Sequence, residues 1–341
     1  MSQVIFLDRE FQHHGRFSGY KQIVNYINGT VYQVRDWLAW LPEKPSYRWL
    51  GLHPLWYNRK AFELELGLFQ LFALHNGIIC HYLYGEASFK LGGRLNRRLG
   101  YRNRLVATYH QLPQFFEQRR AQLSHLGDLD AVVLVSNSQR SVFASIVPVE
   151  RVHVVPHGVD TQFFNPSNSS TQGRPLRCLT VGSNYRDFDA HLRMIKDVNR
   201  SSKRGMDFVV IGEAQYVEYF ADLEHVRYFS GISDEELRAQ YQAADVLVLP
   251  LTDATACNAL LEGMACGLPI VVTDVGGVRD YVDDECAVLT DVEHMTEAVL
   301  ALEHDTDWRV RLGKMARAKA VDQFDWQVIA TQINQVYSQL W

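Results

Sequence analysis

No apolar run in the 341 residues approaches the ~18 needed to cross a bilayer as a helix. The opening MSQVIFLDREFQ lacks a basic patch leading into a long apolar region. A spanning helix and a secretory leader are therefore not expected; the sequence reads as cytoplasmic, with membrane contact at most peripheral at the inner face. Paired cysteines are missing too. Cys80, Cys178, Cys257, Cys266 and Cys286 are scattered without CxxC spacing, which fits reduced thiols better than a disulfide frame or a zinc site. There is no Gly-x-Gly-x-x-Gly, Walker loop or Gly-x-Ser-x-Gly, which removes the common dehydrogenase, nucleotidase and serine hydrolase readings. Excess positive charge is absent as well, and a net charge of −5 argues against a nucleic-acid partner.

What is present is a repeating α/β pattern. Short apolar runs at 4–7, 77–83, 105–109, 131–136 and 152–156 alternate with helical stretches, and a second set follows at 178–182, 208–212, 246–250 and 269–273. Such runs are expected of parallel strands buried on both faces. The chain is too long for one ordinary core. The polar run NPSNSSTQGRP at 165–175 has nothing to bury and reads as a surface linker. The pattern predicts two Rossmann-like domains, 1–158 and 159–324, with parallel sheets and a central cleft. An amphipathic helix over 325–341 closes the chain.

Residues 245–277, DVLVLPLTDATACNALLEGMACGLPIVVTDVGG, are the most informative stretch. A strand ended by Pro250 leads through the small residues Thr252 to Thr255 into a helix predicted over 256–266, stopped by Gly267 and Pro269. The first N–H groups of a helix lack partners and carry the positive end of its dipole, so a diphosphate fits there. Asn258 and Glu262 share one stripe of this helix, while Leu260, Leu261, Met264 and Ala265 form the stripe that packs. Glu262 is expected to point away from the core, towards the bound anion.

This segment resembles the donor signature of family 4 retaining glycosyltransferases of the GT-B fold, in which a strand is followed by a Glu, a spacer, a second Glu and an Ala-Met-Ala-x-Gly-x-Pro run. Glu262, Met264, Ala265, Gly267 and Pro269 match its second half, whereas the first Glu is replaced by Ala254, with Asp253 one residue earlier. The resemblance implies that Glu262 holds the ribose hydroxyls and leaves open whether Asp253 substitutes near the sugar. It extends to VVPHGVDTQFF at 154–164, where His157 replaces the family's Asn and Gly158 is read as a tight reversal. It also covers 180–198, where Gly182 marks a turn and Arg186 near the helix start is the candidate cation; Ser183, Asp187 and Phe188 stand about where the family has its Arg and Lys. At 228–246, Gly231 and Ile232 would meet the nucleobase, and Ser233 with Glu236 reads as a capping box.

In the first half, HHGRFSGYKQIV at 13–24 places Gly15 and Gly19 in a loop suited to closing over phosphate or sugar. His110 directly follows a strand, and the resemblance gives it a hydrogen bond to the donor sugar. Between Ala87 and Phe116 there is no acidic residue, while Lys90, Arg94, Arg97, Arg98, Arg102 and Arg104 interleave with leucines, so 90–104 is a candidate surface for anionic lipid or a lipid-linked acceptor. Three Asp-x-Asp sequences at 128–130, 187–189 and 305–307 precede a strand, start a helix or lie between helices, and none is expected to bind metal.

The resemblance implies a transferase that moves a sugar from a UDP- or GDP-linked donor to a hydroxyl acceptor, with retention and without metal or other cofactor. His110, Arg186 and Glu262 are the candidate catalytic residues. Gly15, Gly19, Gly182, Gly231, Ile232, Asp253, Ala254, Thr255 and Asn258 join Glu262 as the donor-binding set. The alternatives are a sugar-nucleotide 2-epimerase of the same fold and a catalytically degenerate sugar-nucleotide-binding scaffold.

Overall fold

Runs of Val, Ile and Leu with no polar alternation give the strands at the centre of two six-stranded sheets in the computed structural model. The described residues are 3–8, 16–34, 38–40, 57–167 and 174–341. They belong to two compact units: Met1–His14, Tyr20–Pro156 and Ile329–Trp341 make the first, and Gly15–Gly19 with His157–Val328 the second.

The first unit contains β1 (Val4–Asp8), β2 (Thr30–Gln33), β3 (Ile79–Tyr82), β4 (Arg104–Tyr109), β5 (Ala131–Leu134) and β6 (Val152–Val154), all parallel in the order β2-β1-β3-β4-β5-β6. Its helices include α1 (Arg59–Leu74), α2 (Gly85–Ser88), α3 (Gly92–Arg98), α4 (Pro113–Glu117) and α5 (Arg140–Ala144). The second unit contains β7 (Leu176–Val181), β8 (Met206–Ile211), β9 (Val226–Phe229), β10 (Val246–Leu249), β11 (Ile270–Thr273) and β12 (Val288–Thr290), again parallel, in the order β12-β11-β10-β7-β8-β9. Between these strands run α6 (Phe188–Ser201), α7 (Asp234–Ala243) and α8 (Asn258–Ala265), with α9 (Met295–His304) and α10 (Thr306–Lys319) after β12. The closing helix α11 (Trp326–Ser338) begins in the second unit and continues into the first from Ile329.

Each sheet has a point where the chain order reverses, between β1 and β3 in the first and between β7 and β10 in the second. Loops leaving the carboxyl ends of the strands at such a point diverge and leave room for a ligand. In the second sheet these loops are also joined to each other. Asp187 N–H donates to Pro250 O at 2.8 Å, Thr252 N–H donates to Tyr185 O at 2.9 Å, and Arg186 and Leu251 form an isolated antiparallel bridge.

Two expectations about the boundary are corrected. The described residues of the predicted 165–175 linker lie within the second unit, where Gln242 Nε2 donates to both oxygens of Asn165, while 168–173 fall outside the described residues. Gly158 does not serve a reversal through positive φ. A Cβ there would meet the Trp326 ring at 2.5 Å, so the glycine is needed for the indole to pack.

Candidate functional site

At the reversal point of the second sheet, Gly182 ends β7 with φ +88°, and its N–H donates to Ile211 O at 2.8 Å. Its positive φ favours glycine, and a Cβ there would lie 2.9 Å from Arg186 Nη2, so any other residue would also push the guanidinium from its place. Arg186 precedes the α6 cap Asp187 and folds back on its own loop. Nε and Nη2 donate to Val181 O, Nη1 donates to Asn184 O at 2.9 Å, and Nη2 lies 3.6 Å from Cys257 Sγ. The guanidinium is thereby fixed beside Cys257, the cap residue of α8. Tyr185, between these anchors, has φ +54°, a left-handed backbone that bulky side chains rarely adopt. Its phenol pKa is raised by burial and then by Asp253. No sequence signal marks this residue.

The helix expected over 256–266 runs from Asn258 to Ala265, and its cap Cys257 makes no side-chain capping bond. Among the described residues, the N–H groups of Asn258 and Ala259 have no partner, while Leu260 and Leu261 N–H reach Cys257 O. Open helix starts of this kind are suited to an anion, because the N–H groups and the positive end of the dipole are unopposed. It begins later than the sequence suggested, because Ala254 N–H donates to Asp253 Oδ1 at 2.8 Å and Ala254 O accepts from Gly277 N–H at 2.7 Å. Gly276 makes that closure possible: its Cβ would fall 2.3 Å from both Ala254 O and Asp253 Oδ1. Thr255 is buried and Asn258 half-buried in the same turn.

Glu262 corrects the expectation that it points away from the core. The packing residues are buried as predicted, but so is Glu262, which is 4% exposed. Gly263 lets α8 approach β10 so closely that a Cβ would meet Leu247 Cδ2 at 2.4 Å, and Tyr241 of α7 reaches the Glu262 carboxylate. Tyr241 OH donates to Oε2 at 2.9 Å, and Ser18 Oγ donates to Oε1 at 2.6 Å. Burial pushes the carboxyl up to about 7, against the lowering effect of these two hydroxyls.

The described part of the glycine loop, Arg16 to Gly19, groups with this second unit. Phe17 N–H donates to Asp234 Oδ2 at 3.0 Å, and its ring stacks on Phe163 at 3.8 Å between centroids. Gly19 has φ +91°, whereas Gly15 lies outside the described residues. Gly231, with φ +66°, is exposed just before α7, and Ile232 packs against the core. The Ser233 and Glu236 capping box is present and initiates α7.

In the first unit, His110 follows β4 with its ring edge-on to Tyr20 and tilted against Tyr84, each at 4.8 Å between centroids. Its Nδ1 lies 3.4 Å from Oε1 of Glu86, a carboxylate in α2 that the sequence analysis did not single out. Beneath it runs a buried polar chain. Tyr337 OH meets His81 Nδ1 at 2.6 Å, His81 Nε2 meets Thr108 Oγ1 at 2.8 Å, and Thr108 donates to Tyr20 OH at 3.2 Å. With Thr108 donating, His81 carries its proton on Nε2 and accepts from Tyr337. Burial and then His110 hold its pKa down at about 3, so this imidazole is neutral.

The basic segment is less one-sided in space than in sequence. Arg97 pairs with Asp128, Arg104 pairs with Asp130 at 2.9 Å and lies over the Trp341 ring, and Lys90 Nζ donates to Gln122 O at 2.9 Å. The carboxylates come from another stretch of chain, which a local charge count does not see. The other Asp-x-Asp sequences are occupied as helix caps, Asp187 on α6 and Asp305 on α10. No helix among the described residues is long and apolar enough to cross a membrane.

Two parallel α/β units, one carrying a glycine turn, an arginine and an open helix start at its reversal point, define the class of GT-B glycosyltransferases. The fold is shared with the Anabaena protein HepE in complex with UDP, at a TM-score of 0.73 and 16% identity over 99% of this chain and 100% of that one. The chain belongs to the family 4, or group 1, glycosyltransferases: residues 31–163 match "Glycosyltransferase Family 4" and 175–305 match "Glycosyl transferases group 1". It is 31% identical to an MMP alpha-(1->4)-mannosyltransferase of Mycolicibacterium hassiacum over 65% of this chain and 56% of that protein. It is 29% identical, over 74% of each, to a GDP-mannose-dependent alpha-(1-6)-phosphatidylinositol monomannoside mannosyltransferase of Mycolicibacterium smegmatis. The matched part spans about half the length of several curated relatives.

Proposed function

We propose that this protein transfers a hexosyl residue from a nucleoside diphosphate sugar to a hydroxyl of an acceptor, with retention at the anomeric carbon and without a metal. The observation that carries this reading is the pair of unpartnered N–H groups at Asn258 and Ala259 beside the fixed Arg186 guanidinium. When the sugar–phosphate bond breaks through an oxocarbenium-like state, negative charge develops on the leaving diphosphate. Preorganised amides, the α8 dipole and an immobile cation stabilise that charge without reorganising. Glu262 is assigned to the ribose hydroxyls, Gly231 and Ile232 to the nucleobase, and His110 to the donor sugar. No residue is assigned as the base that takes the acceptor's proton; the departing phosphate oxygen is.

A UDP or GDP donor accords with the GDP-mannose in the name of the M. smegmatis relative and with the UDP bound by HepE. A lipid-linked acceptor at an anionic cytoplasmic membrane face accords with the acceptor in that relative's name. It also accords with Leu99, 50% exposed between Arg98 and Arg102. The test is incubation of the full chain with UDP-glucose and with GDP-mannose. Release of free nucleoside diphosphate from one of them is expected. Interconversion of two sugar nucleotides would establish the epimerase instead, and binding without turnover would establish the scaffold.

A further inference from the structure

Tyr185 is strained at the reversal point of the second sheet. Its φ of +54° is one of two positive values on non-glycine residues among the described residues, the other being +62° at His225. Histidine enters this region more readily than tyrosine, and His225 lies in the turn before β9, away from the loops that leave β7 and β10. At Tyr185 the backbone is pinned from both sides. Arg186 Nη1 donates to Asn184 O at 2.9 Å, Thr252 N–H donates to Tyr185 O at 2.9 Å, and Asp187 N–H donates to Pro250 O at 2.8 Å. A glycine would take this conformation without strain, so a bulky ring held here points to a use for the ring. The side chain is 47% exposed, and its hydroxyl has no hydrogen-bond partner among the described residues.

The diphosphate site beside it is short of directed donors. Arg186 donates to Val181 O through Nε and Nη2, to Asn184 O through Nη1 and to Cys257 Sγ through Nη2. Most of its N–H groups are thereby engaged within the protein, so the cation offers an anion its charge more than its hydrogen bonds. The free amides of Asn258 and Ala259 add one donor each. A diphosphate has more acceptor oxygens than these groups satisfy, and negative charge grows on the phosphate that leaves the sugar. Tyr185 adjoins Arg186 in the chain, and its phenol is within electrostatic reach of Asp253, on the loop that leads into α8. Burial and then Asp253 keep the phenol protonated, so it meets an anion as a neutral donor. We propose that Tyr185 is a further donor-site residue, whose phenol O–H donates to the phosphate group that leaves the sugar, and that its left-handed backbone is retained to aim it there. The proton stays on the phenol throughout, and the hydrogen bond strengthens as charge develops on its acceptor. The proposal rests on the transferase reading above.

Two measurements on the full chain test it: calorimetric titration with UDP, UMP, GDP and GMP, and steady-state release of nucleoside diphosphate from UDP-glucose and GDP-mannose. Tyr185→Phe keeps the ring and the backbone and loses only the hydroxyl. Its kcat is expected to fall about tenfold, and its affinity for the preferred diphosphate by a similar factor, the value of one hydrogen bond to a charged group. Affinity for the matching monophosphate, which lacks the leaving phosphate, should hold. Tyr185→Gly relieves the backbone, so turnover should fall at least as far with a denaturation midpoint no lower than wild type. Turnover and diphosphate affinity equal to wild type in Tyr185→Phe overturn the proposal, whatever the glycine variant does. An equal loss of mono- and diphosphate affinity overturns it too, because the leaving phosphate would then not be the partner. Weaker diphosphate binding in Tyr185→Phe, in a protein that releases no diphosphate from either sugar nucleotide, leaves the phenol on the phosphate and removes the transferase reading alone. A wild type that binds neither UDP nor GDP overturns both.

Discussion

Ser18 Oγ donates to Oε1 of Glu262 at 2.6 Å, although 244 positions separate them in the chain. With Tyr241 on Oε2, both oxygens of the carboxylate assigned to the ribose are engaged from within the protein. A ribose hydroxyl reaching Oε1 therefore competes with the serine.

Removing the competitor should help the nucleotide. Ser18→Ala is expected to tighten binding of the preferred nucleoside diphosphate by about three- to tenfold, the value of one hydrogen bond no longer displaced. Isothermal titration with UDP and GDP measures it, and unchanged or weaker binding would show that the ribose does not use Oε1.

The raised pKa of Glu262 gives a stability profile with a defined sign. In the unfolded chain the carboxyl ionises near 4.5, and in the folded protein near 7. Below 4.5 it is protonated in both states; between these values the unfolded chain releases the proton first, so stability falls as pH rises and stays lower above 7. The drop is about 3 kcal/mol for such a shift. Thermal melting of Glu262→Gln against the wild type from pH 4 to 8 should show the variant gaining relative stability across this window; parallel curves would refute the shift.

Tyr241→Phe leaves Oε2 of Glu262 buried without its donor, and should cost about 1–3 kcal/mol in chemical denaturation. Because the lost hydroxyl lowered the pKa of Glu262, the fall in stability should extend to higher pH in this variant. A midpoint that does not move would show that the hydroxyl does not stabilise the ionised form.

Gly158→Ala places a methyl group 2.5 Å from the Trp326 ring, and overpacking at a fully buried indole is expected to cost about 1–3 kcal/mol. A denaturation midpoint equal to wild type would mean that the indole moves aside freely.

Arg186→Ala removes the fixed cation beside α8. Loss of one preorganised donor of this kind should lower kcat by about 10²- to 10³-fold. Circular dichroism confirms that the fold survives, and steady-state release of nucleoside diphosphate reads the effect. A rate within twofold of wild type would remove Arg186 from the site.

The nine strands expected from apolar runs all form, and among the described residues three further strands, β2, β9 and β12, are each at a sheet edge. A strand covered on both faces must be apolar throughout, whereas TVYQ at 30–33 and VRYF at 226–229 are half-exposed and carry the mixed pattern of a loop. The helix beginning near Asn258, the turn at Gly182 and the cap at Ser233 were legible because each rests on local backbone chemistry.

Local pattern therefore determined the class of fold, the alternation of strands and helices, and the open start of α8, since each depends on neighbours within a few residues. Tertiary structure decided the surroundings of Glu262, the partners of Arg186, the ion pairs on Arg97 and Arg104, and the pairing of His110 with Glu86. Those contacts join segments whose separation in the chain carries no periodic signal, and burial and hydrogen bonding select them only once the sheets have formed.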